Sequence, residues 1–232
     1  MRIARRLNST RSELYLRSVH LPRLRAIYLT TPKVAGSTIM ATLVKADGSQ
    51  RFDGITNYND RAARHLLSSE GDPRAFWHDL GHPDCFRFSF VRNPYDRIIS
   101  AYLDKIALGT KPRKRKLPGL GPVGEISFRD FLLTLQRQKA ARMNRHWRPQ
   151  SLLISPRVKL DFLGRFERFE TDFAHVLERL GVEPAAITNR RGHKTSAAEH
   201  RDMIGPEEKA LIDSIYGEDF ERFDYTKSLQ AG

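Results

Sequence analysis

Apolar residues fall in short blocks between turn formers, and their period changes from block to block. Residues 26–29 (Ala-Ile-Tyr-Leu) form a continuous apolar run of strand length. Pro32 and Gly36 punctuate the turn that follows. Ser37 then opens a segment whose apolar positions Ile39, Met40, Leu43 and Val44 have the spacing of an amphipathic helix. Residues 85–91 (Cys-Phe-Arg-Phe-Ser-Phe-Val) alternate large apolar side chains with a strand's period of two. Next come Asn93, a good N-cap, Pro94, suited to the first helical position, and a stripe of Ile98, Ile99, Tyr102, Leu103 and Ile106. The pattern as a whole predicts strands near 26–31, 86–91 and 160–166, with helices near 37–46, 60–69, 94–107, 127–138, 170–181 and 206–216. Helices that cross between strands make the first strands parallel, so the expected fold is three-layer α/β, a mainly parallel central sheet flanked by helices. With 232 residues, no repeat and no dividing linker, the chain reads as one domain over 1–232.

Two strand-to-helix junctions carry the chemistry. The first, Pro32-Lys33-Val34-Ala35-Gly36-Ser37-Thr38-Ile39, ends in a helix start, where backbone N–H groups without intrahelical partners suit an anion. It is not a Walker A loop: Lys33 precedes Gly36 and no glycine begins the loop, which disfavours ATP or GTP hydrolysis. At the second, Arg92 stands at the carboxyl edge of the sheet, where open α/β sheets bind ligands. Its guanidinium fork grips phosphate bidentately, and Ser100, eight positions on, adds a hydroxyl from the following helix. For that segment alone, an ion pair between Arg92 and a carboxylate such as Asp96 is an open alternative.

These motifs resemble those of sulfotransferases that use 3′-phosphoadenosine 5′-phosphosulfate (PAPS). PKVAGST resembles their 5′-phosphosulfate loop, and VRNPYDRIISAY their 3′-phosphate-binding segment, with Arg92 and Ser100 at the matching spacing. Asn144-Arg145-His146-Trp147-Arg148-Pro149-Gln150, the DFLGRFE run at 161–167 and the closing segment 215–225 are similar to the chondroitin and dermatan 4-O-sulfotransferase branch of carbohydrate sulfotransferases. The resemblance covers about 25–225 and implies a P-loop-like sulfotransferase fold. It also implies PAPS as donor, 3′-phosphoadenosine 5′-phosphate as product, and a carbohydrate or glycoconjugate acceptor, anionic in some members. Lys33 is then expected to meet charge on the leaving oxygen, and amides around Gly36, Ser37 and Thr38 to hold the 5′-phosphate. A short Gly-His likeness to uronosyl 2-O-sulfotransferases makes His82 the first choice of base and His78 the second, with a structural histidine or a cleft carboxylate as alternatives. His146 and Trp147 read either as packed residues or as substrate contacts.

Charge widens the field before narrowing it. The formal net charge is +13, with cations concentrated in a basic N-terminal extension (1–24) and in a Pro- and Gly-rich loop (109–124) that reads either as mobile and over the site or as plain solvated surface. A polyanion- or nucleic-acid-binding module on a degenerate nucleotide fold would share this balance, and a small-molecule kinase is the third reading. No nucleic-acid-binding signature accompanies the charge, and an anionic cofactor with an anionic acceptor needs the same field. His78 and His82 share a segment without completing a metal site, so no metal is expected. One cysteine, no apolar run of membrane-spanning length and no signal-peptide pattern lead to the expectation of a soluble, bacterial-type cytoplasmic enzyme, with peripheral membrane contact left open. The animal members of the branch are membrane-anchored Golgi enzymes, and this departure from them puts animal glycosaminoglycan acceptors in doubt.

Overall fold

A computed structural model describes residues 13–48, 72–107, 126–184 and 197–229. The expected helix over 60–69, the basic loop at 109–124 and the first part of the basic extension lie outside the described residues. Backbone proximity divides the chain into two compact units that alternate along the sequence: Met1–Thr31, Ala35–Val91 and Ile154–Gly192 form the first, and Pro32–Val34, Arg92–Leu153 and His193–Gly232 the second.

The first unit holds a four-stranded sheet in the order β1-β2-β3-β4. Its strands are β1 (Ser18–Leu21), β2 (Ala26–Leu29), β3 (Phe86–Val91) and β4 (Phe162–Arg165). β2, β3 and β4 are mutually parallel, as the crossing helices require, with Ala26 opposite Phe86 and Phe88 opposite Phe162. Strand β1 was not anticipated. It pairs antiparallel with β2, Ser18 opposite Leu29, and buries all four of its residues. Gly164 faces Phe90 across the sheet, and a Cβ there would lie 2.3 Å from the phenyl ring, so only glycine fits. Helix α1 (Gly36–Asp47) buries Ile39, Leu43 and Val44 as expected, and Asp47 accepts hydrogen bonds from the Arg23 and Leu24 amides at 3.0 and 3.2 Å. Its N-cap position is Ala35 rather than Ser37. Helix α2 (Pro73–Gly81), capped by Asp72, leads into β3.

The second unit is helical. Helix α3 (Pro94–Tyr102) is capped by the Asn93 side chain, which accepts from the Tyr95 amide at 3.0 Å, and every one of its residues is buried. The apolar stripe continues past it, but over Leu103–Ala107 the backbone widens into a π-turn. Helix α4 (Phe128–Gln136), α5 (Gln150–Leu153), α7 (Pro206–Ile215) and α8 (Gly217–Arg222) complete this unit, while α6 (Phe169–Arg179) belongs to the first. Ile98, Ile99, Tyr102, Leu103 and Ile106 all enter one core with Phe131, Leu132, Trp147, Ile212, Tyr216 and Phe220. Among the described residues no helix is long and apolar enough to cross a membrane.

Candidate functional site

The loop after β2 takes its shape from left-handed backbone. Lys33 (φ 73°) and Ala35 (φ 59°) both occupy the region that side chains disfavour, at a cost of about 1–3 kcal/mol each. The hydrogen-bond ladder of α1 begins immediately, the Thr38 and Ile39 amides donating to the Ala35 carbonyl at 2.9 and 3.2 Å. A helix start reached through such a turn forms a concave array of N–H groups, a shape suited to an anion. A Cβ on Gly36 would make ordinary van der Waals contact with the Tyr28 hydroxyl at 3.6 Å and the Thr31 carbonyl at 3.7 Å, so the chain's own packing does not by itself demand glycine there.

Arg92, the last residue before α3, is buried and donates from Nη1 to the Lys33 carbonyl at 3.2 Å. The two junctions singled out in the sequence therefore touch. Asp96, the alternative partner for Arg92, is instead gripped by both arms of Arg201 at 2.8 Å each. Ser100 lies two turns along α3 and is buried. Lys33 itself is only 14% exposed at its side chain, and its Nζ lies 3.1 Å from Asp104 Oδ2 in the π-turn. The same carboxylate oxygen receives Lys105 Nζ at 3.0 Å. Burial pushes the Lys33 ammonium below the ordinary lysine value, Asp104 pulls it back up, and the Lys105 and Arg92 cations push it down again. Asp104 is held below the usual carboxylate range: burial pushes it up, but Lys33 and Lys105 outweigh that.

His146 belongs to this charged neighbourhood. Burial, together with the fields of Lys105, Lys33 and Arg97 against that of Asp104, pushes its imidazole down to about 3, so the ring is neutral at any physiological pH. Its Nδ1 is buried with no hydrogen-bond partner among the described residues. The turn that carries it is fixed from several sides: Arg97 donates to the carbonyls of Pro32 (3.3 Å), Arg145 (3.0 Å) and Arg148 (2.9 Å), and Tyr216 donates to that of Trp147 (2.6 Å). Arg97 thus joins the Lys33 loop to the His146 turn through one buried guanidinium.

Gln150 does the same for Arg92. Fully buried, it accepts from the Arg92 amide and donates to the Arg92 carbonyl, both at 2.9 Å, as a neighbouring strand would. Asp219 in turn takes the Gln150 and Ser151 amides at 2.7 and 2.8 Å, capping α5. Sequence reasoning gave neither Arg97, Gln150 nor Asp219 a role; the signal was the VRNPYDRIISAY, HWRPQ and GEDF runs, within which these residues were not singled out.

His78 and His82 lie in the first unit, at the last turn and the C-cap of α2, with ring centroids 5.4 Å apart. His82 Nδ1 accepts from the Asp84 amide at 3.2 Å. The neutral ring then carries its proton on Nε2, a donor rather than a base. His78 Nδ1 faces Asp79 Oδ1 at 3.0 Å, and Asp79 Oδ2 meets His20 Nε2 at 2.7 Å. A His78 ring donating Nδ1–H to that carboxylate keeps its lone pair on Nε2. Among the described residues no group of three or more His, Cys, Asp or Glu side chains is arranged to hold a metal ion.

Residues 18–226 match the Sulfotransferase family. The chain is similar to carbohydrate sulfotransferase 14 of Danio rerio, 32% identical over 172 residues that make up 68% of this chain and 46% of the relative. The Homo sapiens protein of the same name is 30% identical over 174 residues, 70% of this chain and 46% of the relative. Carbohydrate sulfotransferase 12 of Mus musculus is 30% identical over 247 residues, 87% of this chain and 58% of the relative. The chain spans about half the length of the first two. No solved structure matches it.

Proposed function

The chain belongs to the sulfotransferase family, and on that premise we propose that it transfers a sulfuryl group from PAPS to a hydroxyl of a carbohydrate or glycoconjugate acceptor. One observation carries the reading: the Arg92 guanidinium donates to the Lys33 carbonyl, so the segments read separately as binding the 3′- and 5′-phosphates meet at one place. A glycine that the chain's own packing does not require at 36 and the left-handed turns at Lys33 and Ala35 fit close approach of a phosphate to the backbone. The names of the relatives support a carbohydrate acceptor.

PAPS supplies an activated sulfuryl group on a phosphate leaving group. Residues 32–39 would hold its 5′ end through the amides of Gly36 and Ser37, the Thr38 amide being already taken by the Ala35 carbonyl, while Arg92 and Ser100 would hold the 3′-phosphate. By analogy with phosphoryl transfer, charge builds on the leaving oxygen in a loose, in-line transition state, and the Lys33 ammonium stabilises it there. The Arg97 and Gln150 ties keep loop, guanidinium and turn in one arrangement, so little reorganisation accompanies the reaction. For the acceptor's proton the hydrogen bonds favour His78 over His82, because a carboxylate engages His78 Nδ1 and leaves Nε2 to accept, whereas His82 Nδ1 already accepts from the Asp84 amide. His146, depressed to about 3, is too weak a base for that step and acts as a neutral wall of the site. A cytoplasmic location belongs to the same proposal and suits a chain whose single cysteine, Cys85, is buried with its thiol pushed up to about 11.

Thermal unfolding with 3′-phosphoadenosine 5′-phosphate, ATP and GTP side by side tests the reading. Ligand at 100 times its dissociation constant adds about 2.7 kcal/mol to native stability, so the 3′-phosphorylated nucleotide alone is expected to raise the midpoint. An equal rise with ATP or GTP refutes the donor assignment.

A further inference from the structure

We propose that Asp104 is a positioning residue for Lys33: its carboxylate fixes the ammonium at the end of the loop and yields it to the leaving group when the donor binds. The inference rests on the Lys33 role given above and adds a residue that neither the sequence motifs nor the relatives' names assign.

The geometry begins at the Asn93 cap, which sets where α3 starts. Ser100 lies on α3, and Asp104 lies in the π-turn that continues it. From Leu103 the helix widens into a π-turn, a distortion frequent at functional sites, and Asp104 leaves it with one oxygen 3.1 Å from Lys33 and 3.0 Å from Lys105. Lys33 is almost sealed from water, so this pair is not the screened surface kind that contributes little.

An ammonium can stabilise a developing oxyanion only while it carries its proton. Besides Asp104, the charges that act on Lys33 are cations, Arg92 just after β3 and Lys105 in the π-turn, and the imidazole that Lys33 itself influences, His146, is neutral. Burial and the Arg92 and Lys105 charges all favour the neutral amine; Asp104 opposes them through charge and hydrogen bond. Without the carboxylate, the lysine would lose its proton at lower pH and could swing from the loop. With the donor bound, its phosphate and sulfuryl oxygens replace Asp104 as counter-ion, so the pair releases Lys33 as the reaction needs it.

The test uses full-length protein labelled with ¹³Cε-lysine, the Lys33 resonance being assigned by its loss in Lys33→Arg. In ligand-free Asp104→Asn, an isosteric change, Lys33 is expected to titrate at lower pH than in the parent, with Asp104→Glu restoring the parent midpoint at least in part. The alkaline limb of kcat/KM for sulfuryl transfer, which reports the free enzyme, is expected to move the same way, costing roughly 10-fold at high pH and far less at low pH. An unmoved Lys33 titration in Asp104→Asn overturns the proposal whatever the activity does. A moved titration with an unmoved alkaline limb overturns the link to the reaction. Failure of the parent protein to bind 3′-phosphoadenosine 5′-phosphate counts against the sulfotransferase reading instead, and the ligand-free titration separates the two.

Discussion

Arg92 offers the sharpest test, because the structure gives its side chain two jobs that a ratio of affinities can separate. In the ligand-free protein the guanidinium holds the Lys33 carbonyl at 3.2 Å, and in the proposed complex it also grips the 3′-phosphate. Arg92→Ala loses both. The loop tie is common to every nucleotide that enters the 5′-phosphate cradle, so its loss weakens 3′-phosphoadenosine 5′-phosphate and adenosine 5′-phosphate equally. The phosphate contact belongs to the first ligand alone. A charged hydrogen bond contributes about 1.5–3 kcal/mol, so the ratio of the two affinities is expected to fall by roughly 10- to 150-fold, on top of whatever both ligands lose together. Arg92→Lys keeps a charge without the fork and should fall between the parent and the alanine variant. Calorimetric titration of both ligands into the three proteins gives the numbers. An unchanged ratio in Arg92→Ala refutes the 3′-phosphate role even if both affinities drop, and similar parent affinities for the two ligands refute it without any variant.

The parts of the fold legible in sequence are those decided locally. Asn93, Pro94 and the stripe from Ile98 to Ile106 announce α3 because cap, first turn and apolar spacing all lie within about four helical turns. The π-turn was invisible for the same reason: Leu103 and Ile106 are three apart, which suits an uninterrupted α-helix, and nothing local marks Asp104, whose partner Lys33 lies 71 residues away. β1 is only Ser-Val-His-Leu, too short for a period and stabilised by pairing with β2 rather than by propensity. Gly36 to Thr38 could be placed at a helix start from the turn formers alone, whereas the cap at Ala35 depends on a left-handed φ that an alanine does not advertise. Arg97, Gln150 and Asp219 were missed because their partners lie 48 to 69 residues away, and a buried Arg or Gln looks no different in sequence from an exposed one. The choice between His82 and His78 turns on a different kind of information. Asp79 and Asp84 stand beside them in the chain, but which ring nitrogen each engages exists only in three dimensions.

Lys33→Ala is expected to lower kcat far more than it weakens binding of 3′-phosphoadenosine 5′-phosphate, since charge on the leaving oxygen appears only in the transition state; near-normal turnover in that variant removes the role. His78→Ala is expected to lose roughly 10²- to 10⁴-fold in turnover with nucleotide affinity intact; the same loss in His82→Ala but not His78→Ala exchanges the two, and near-normal turnover in both leaves the base to a carboxylate. Gln150 tests the scaffold behind the site. Gln150→Ala strands the amide and carbonyl of Arg92 in a fully buried position, at about 1–3 kcal/mol for each, so unfolding is expected about 5–15 °C lower for a chain of this size. A cavity alone would also lower it, and Gln150→Glu removes that ambiguity. The glutamate has the same size and still accepts from the Arg92 amide, but it cannot donate to the Arg92 carbonyl and sets a second carboxylate where the amide nitrogen now stands 3.5 Å from Asp219 Oδ2. If the paired hydrogen bonds hold Arg92 in place, Gln150→Glu is as damaging as Gln150→Ala and carries a matching loss of selectivity for the 3′-phosphate. Parent-like stability and selectivity in Gln150→Glu would mean that Arg92 is held by its own burial, and that the glutamine merely fills space.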